Sequence, residues 1–290
     1  MTRRIAPEQA RALREINARH AARWEITHRL TGGYSDRGAH VVRDGERRAV
    51  LKVYGPGRTA ERMDATAAVI AAAIDAGWST PRWLAHGVLT SGESYVIREF
   101  VEGTVPRRLG EIELELLLEI NRRQTNLHPD IDADWSAYAR QRLFGEGLTM
   151  SGTDQHREVA MLRDQLERFI TPTRDVVLPT TDLVHGDVTL LNTIISGERA
   201  WLIDAEYAGK GSRSYDLATL LVHAGTGALG ASPKTMARLR DECVRIAGEG
   251  AARLGVAVRI IGLVDFGSTH WPEGLPSFAA DASTFLESFD

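Results

Sequence analysis

The chain has 290 residues, 43% of them hydrophobic and 26% charged, and a net charge of −4. This composition excludes global disorder and fibrous repeats, and its sign speaks against a nucleic-acid binder. No apolar run approaches the roughly 18 residues of a membrane span, the charged N-terminus lacks the apolar core of a secretory signal, and the single cysteine, Cys243, excludes an intrachain disulfide or a cysteine-built zinc site.

The expectation is therefore a cytoplasmic protein, monomeric or dimeric, without a nucleic-acid or membrane partner. Charge is unevenly spread: residues 1–100 carry +5 and residues 101–290 carry −9. That split suggests two halves facing ligands of opposite sign. Lysine is scarce, with only Lys52, Lys210 and Lys234 against 32 arginines. Each lysine thus raises the question of why arginine, the default cation here, was not used.

In chain order, residues 7–23 read as an amphipathic helix opened by Pro7, with Leu13 and Ile16 on one face. A strand over 24–30 runs into the turn TGGYSDRG. A second strand lies near 39–43, Asp44-Gly45 marks a hairpin, and 49–54 is a third strand. A helix over about 60–76 closes at Gly77, and strands at 82–88 and 95–101 flank a Ser91-Gly92 turn. The first hundred residues thus read as an antiparallel sheet with one inserted helix. Beyond Glu102-Gly103 the pattern turns helical: a helix marked by Leu114, Leu117, Leu118 and Leu127, a longer one over 156–170, and others over 216–224 and 235–254. Two apolar runs, 183–185 and 201–204, resemble a hairpin embedded among these helices, and 268–278 is rich in proline and glycine. The expected architecture is α+β and bilobal, divided into residues 1–101 and 102–290.

The chemistry concentrates in residues 185–216. His185-Gly186-Asp187 is followed five residues later by Asn192, and twelve residues after that by Asp204 behind the apolar Trp201-Leu202-Ile203. A phosphoryl transferase needs such a set: one carboxylate to orient the attacking hydroxyl and take its proton, and an amide oxygen plus a second carboxylate to hold Mg²⁺ on the nucleotide phosphates. The Asp-x4-Asn spacing matches the protein-kinase catalytic loop, and Asp204 stands where the metal-binding aspartate of the kinase DFG segment would be.

The string HGD-x4-N followed by IDAEYAGKGSRSYDLATLL resembles the aminoglycoside phosphotransferase/choline kinase superfamily, over roughly residues 25–225. The resemblance implies a protein-kinase-like fold, Asp187 as catalytic base, Asn192 and Asp204 as metal ligands, and His185 and Asp216 as supports of the catalytic loop. It implies Lys52, in RAVLKVY, as the holder of the α- and β-phosphates. TGGYSDRG, with Gly33, Tyr34 and Ser35, takes the phosphate-loop position although it departs from GxGxxG. VIREFVEG resembles the hinge, where Glu99 and Val101 would offer backbone groups to adenine. Cofactors follow: ATP, with GTP as the alternative, and Mg²⁺.

Two departures stand out. The family's helix glutamate that pairs with the lysine would fall at Thr66, with Glu61 or Asp64 as substitutes, and Ala205-Glu206 replace the Phe-Gly of DFG. Glu206, two residues after Asp204, either faces a cationic group of the substrate or caps a loop. His270, Trp271 and Phe278 form either an aromatic wall of the acceptor pocket or a packing cap. The expected activity is transfer of a γ-phosphoryl group to a hydroxyl of a cationic small molecule. The leading reading is inactivation of an antibiotic such as an aminoglycoside or a basic cyclic peptide of the viomycin/capreomycin kind. The alternatives are a metabolic kinase for choline, ethanolamine or thiamine, to which IDAEY lies nearer, and a nucleotide-binding pseudoenzyme.

Overall fold

The structure, a computed structural model, describes residues 7–30 and 38–289. Helix α1 (Pro7–His20) precedes strands β1 (Glu25–Arg29), β2 (Ala39–Asp44) and β3 (Arg47–Pro56). Helix α2 (Ala60–Asp75) leads into β4 (Trp83–Val88) and β5 (Glu93–Glu99). The five strands form one antiparallel sheet in the order β1-β2-β3-β5-β4. Strand alternation gives this sheet two uses. Leu51 of β3 and Tyr95 and Ile97 of β5 are buried against Leu13 and Ile16 of α1. The intervening residues of the central pair, Lys52 and Arg98, therefore point from the opposite face, and Lys52 sits beside Val96 in the β3–β5 register.

The helical part comprises α3 (Glu111–Arg122), α4 (Trp135–Phe144), α5 (Arg157–Ile170), α6 (Ser214–Gly225), α7 (Pro233–His270) and α8 (Leu275–Glu287). Its core also takes the inner face of α2, through Val69, Ile70 and Ala73, together with Trp78. A backbone bond fastens the two parts, with Leu202 N–H donating to Ser79 C=O at 2.9 Å, and just past the crossover Thr104 and Ile195 exchange both N–H···O bonds at 2.9 Å. Gly103 is required at the crossover: its φ is +152°, and a Cβ there would strike the Ile195 carbonyl.

The embedded strands differ from the sequence expectation. The runs at 183 and 201 do not pair with each other. β6 (Asp182–Val184) pairs with β9 (Gly209–Gly211), and β7 (Thr193–Ser196) pairs with β8 (Arg199–Leu202), giving two small ribbons that bracket the catalytic loop. The Pro/Gly-rich segment 268–278 is mostly helical. α7 runs on to His270 through a break at Gly248, and α8 begins at Leu275 with proline in its first turn, a position that needs no N–H.

Candidate active site

Asp216 organises the loop between β6 and β7. It is completely buried on α6 and accepts hydrogen bonds from His185 N–H (2.8 Å), Gly186 N–H (2.9 Å) and the Gln124 amide (2.6 Å). Burial pushes its carboxyl pKa up, against the pull of His185 and these donors. His185 is also fully buried, with Nδ1 accepting from Asp187 N–H at 3.2 Å and Nε2 donating to Ile203 C=O at 2.9 Å. These partners fix which ring nitrogen carries the hydrogen. Gly186 has φ +86° and lies under the Trp135 ring, which a Cβ would penetrate, so only glycine closes this turn.

Asp187 and Asn192 then face each other. The Asn192 amide donates to the Asp187 carbonyl (2.9 Å) and to its Oδ2 (2.8 Å). Asn192 C=O accepts from Ile203 N–H at 2.8 Å, which ties the loop to the residue before Asp204. Asp204 itself has φ +64°, a strained conformation for a residue with a side chain and one that recurs at functional sites.

Two cationic side chains converge on Asp204 and Glu206. Lys52 Nζ donates to Asp204 Oδ2 at 2.8 Å and to Glu206 Oε1 at 3.2 Å, and Arg98 Nη1 lies 2.7 Å from Asp204 Oδ1 without hydrogen-bond alignment. Burial raises the Asp204 carboxyl, but Arg98 and Lys52 outweigh it and hold it down at about 2. Burial lowers the Lys52 ammonium, but Glu206 and Asp204 outweigh that and hold it above its ordinary value.

Glu206 is 6% exposed and points to Lys52, so it does not stand open to an acceptor as one sequence reading had it. It occupies the role looked for on α2. Thr66 there is buried and bonds back to Arg62 C=O, Asp64 pairs with His86, and Glu61 is exposed. Glu99 ends β5, its N–H donating to Arg82 C=O at 3.0 Å, and Val101 follows it just before Gly103. Gly33, Tyr34 and Ser35 lie outside the described residues. Trp271 packs edge-on against Phe278 with centroids 5.6 Å apart and lies against the main core, the geometry of a packing cap.

A hard cation suits this set. Asp204 Oδ1 is buried with no hydrogen bond, met only by the misaligned charge of Arg98, and the Asn192 bonds to Asp187 use only its Nδ2, leaving the amide oxygen as a metal donor. Among the described residues no group of three His, Cys, Asp or Glu forms a metal cage of its own. Two such oxygens would suffice for Mg²⁺, which binds through one or two protein oxygens together with substrate phosphates and water.

Two residues that motif reading missed complete the site. Arg98 sits in the apolar strand run Tyr95–Ile97, and Arg259 in the apolar helical run Val256–Ile261. A lone arginine in such a run is the sequence signal that could have found either one. Arg259 Nη2 reaches Asp187 Oδ1 at 3.0 Å and His223 Nε2 at 3.0 Å.

Comparison with known proteins agrees with this geometry. The fold is that of solved aminoglycoside phosphotransferases. APH(4)-Ia aligns at TM-score 0.64 and 16% identity over 96% of this chain and 99% of that one. A thermostable mutant of it, in ternary complex with ADP and hygromycin B, aligns at 0.65 and 16% over 91% and 94%. A candidate fructosamine-3-kinase from Haemophilus somnus 129PT aligns at 0.58 and 12% over 95% of each chain. No curated protein matches the sequence. The sequence model of the phosphotransferase enzyme family, APH, matches residues 26–253, a span holding the sheet, Lys52 and the whole catalytic loop, and the chain belongs to that family of small-molecule kinases.

Proposed function

We propose that the chain transfers the γ-phosphoryl group of ATP, with Mg²⁺, to a hydroxyl of a small molecule. One observation carries the reading: Lys52 of the sheet is bonded to Asp204, while Asp187 and Asn192 are bonded to each other on the adjoining loop. These four side chains, drawn from both parts of the chain, support a reading in which they serve as phosphate anchor, metal carboxylate, base and metal amide.

In this reading Lys52 steadies the α- and β-phosphates. Asn192 and Asp204 hold Mg²⁺, which when bound neutralises charge on the phosphates. Gly33, Tyr34 and Ser35 cover the phosphates, and adenine lies against the carbonyl of Glu99 and the backbone of Val101. Asp187 orients the acceptor hydroxyl and takes its proton as the oxygen bonds to the γ-phosphorus and the bond to the β-phosphate oxygen breaks, its electron pair leaving with ADP. His185 and Asp216 hold that loop, and Glu206 keeps Lys52 in place.

For the acceptor, the ADP and hygromycin B complex of the neighbour favours a cationic, hydroxyl-rich antibiotic. The acid excess beyond residue 100 points the same way, and it stays at −9 when acids paired with cations of the same half are set aside together with those cations. Glu111 pairs with Lys234, Glu115 with Arg238, Asp182 with Arg213 and Asp265 with Arg142. A second reading, a metabolite kinase, is favoured by Arg259, a fixed positive charge touching the base, and by the fructosamine-3-kinase neighbour. The test is a panel of aminoglycosides, basic cyclic peptides, choline, ethanolamine, thiamine and fructosamines with MgATP, read by mass for a gained phosphoryl group. A panel in which ATP binds but no compound is modified would sink the transferase reading in favour of a pseudoenzyme.

A further inference from the structure

Arg259 lies on α7, beyond the span matched by the family model, and neither the motif nor the family match assigns it a role. Its side chain is 16% exposed, and its Nε is enclosed without a partner. It touches Asp187 through one nitrogen only, although a structural arginine–carboxylate pair gains most from the two-pronged fork. The same nitrogen meets His223 Nε2 on α6. Asp187 is held at both oxygens, Oδ1 by Arg259 and Oδ2 by Asn192. Each oxygen keeps a second lone pair, but a hydroxyl approaching Oδ1 shares that oxygen with the guanidinium until Arg259 lets go.

We propose that Arg259 is a positioning residue that holds Asp187 until an acceptor hydroxyl displaces it, so that the base becomes available only when the acceptor site is filled. The inference rests on Asp187 being the base. His223 gives the released guanidinium a partner that is already in place. The device matters most against water. In the unwanted reaction a water oxygen bonds to the γ-phosphorus and the bond to the β-phosphate oxygen breaks, its electron pair leaving with ADP. The water proton goes to Asp187, and inorganic phosphate results. With Arg259 on Oδ1, water has to compete with the guanidinium for that oxygen.

The probe is MgATP without any acceptor, with phosphate release measured for wild type, Arg259→Met, Arg259→Lys and the double variant Arg259→Met/Asp187→Asn. Arg259→Met should raise hydrolysis by roughly tenfold or more, the worth of one hydrogen bond to a charged group, at unchanged KM for ATP. Arg259→Lys, which keeps the charge and loses the fork, should fall between wild type and Arg259→Met. The double variant should lose the gain. Unchanged or reduced hydrolysis in Arg259→Met, or a gain that survives Asp187→Asn, overturns the proposal. If Arg259→Met does not fold, as judged by circular dichroism, Arg259→Gln carries the same comparison. Calorimetric titration with MgATP separates the two levels. A wild type that binds ATP and modifies an acceptor while Arg259→Met hydrolyses no faster defeats this inference alone. A wild type that neither binds nor turns over ATP defeats the phosphotransferase reading and this inference with it.

Discussion

Replacing Asp216 probes the link between packing and chemistry most sharply. Asp216→Ala removes the acceptor of two buried backbone N–H groups, those of His185 and Gly186, and of the Gln124 amide. Each unsatisfied buried donor costs about 1–3 kcal/mol. Part of that is returned, because burial already penalises the Asp216 charge. The net loss should be about 3–5 kcal/mol, the range for breaking a buried charged interaction by removing one partner. Asp216→Asn keeps one acceptor oxygen and turns an N–H₂ toward the remaining donor, so it should lose about 2 kcal/mol. Urea unfolding followed by circular dichroism reads both values from the midpoint and slope. The two N–H groups belong to the residues just before Asp187, so kcat of Asp216→Asn should fall at least tenfold while ATP affinity changes far less. An Asp216→Ala protein that unfolds at the wild-type midpoint would refute the reasoning, because buried donors would then be finding partners that the structure does not contain.

Asp204→Ala should abolish Mg²⁺-supported nucleotide binding, whereas Lys52→Ala should weaken it; calorimetry with and without Mg²⁺ checks the order, and the reverse order removes Asp204 from the metal site. Glu206→Gln should raise the KM for ATP by roughly tenfold, as expected for a weakened charged hydrogen bond, and leave the acceptor KM unchanged. A shift confined to the acceptor would restore Glu206 to substrate binding. His223 supplies a pH signature: burial first, and then Arg259, depress its pKa from 6.5 to about 4. Its neutral form is the one the fold accommodates, so its contribution to stability is complete above the ordinary value and is lost as pH falls from 6.5 toward 4. The loss should reach about 3 kcal/mol, and His223→Gln should flatten that limb of the stability–pH curve.

The catalytic loop was legible in the sequence because its chemistry is local. His185, Asp187, Asn192, Asp204 and Asp216 lie within 32 residues at fixed spacings, and the strands holding Lys52 announce themselves by alternation. Features that depend on distant chain segments were not legible. Lys52 meets Glu206 across 154 positions and Asp187 meets Arg259 across 72, and neither spacing leaves a periodic trace. The ribbon pairings failed for the same reason: β6 has its partner at Gly209–Gly211, a stretch that reads as loop. In the Pro/Gly-rich segment, Pro272 and Pro276 mark the first turns of helical segments, a position proline favours. α4, held by an Asp134 cap and by Trp135 and Leu143 rather than by a strong apolar stripe, gave little periodicity to read.

The central claim is that Asp187 activates a small-molecule hydroxyl for phosphoryl transfer from ATP. Mass spectrometry of the acceptor panel, run with wild type and Asp187→Asn at equal ATP occupancy, tests it most directly. The account predicts one acceptor that gains a single phosphoryl group with wild type, at a rate about 10²–10⁴-fold lower with Asp187→Asn, the contribution typical of a general base. An Asp187→Asn enzyme that phosphorylates the same acceptor at the wild-type rate would contradict it.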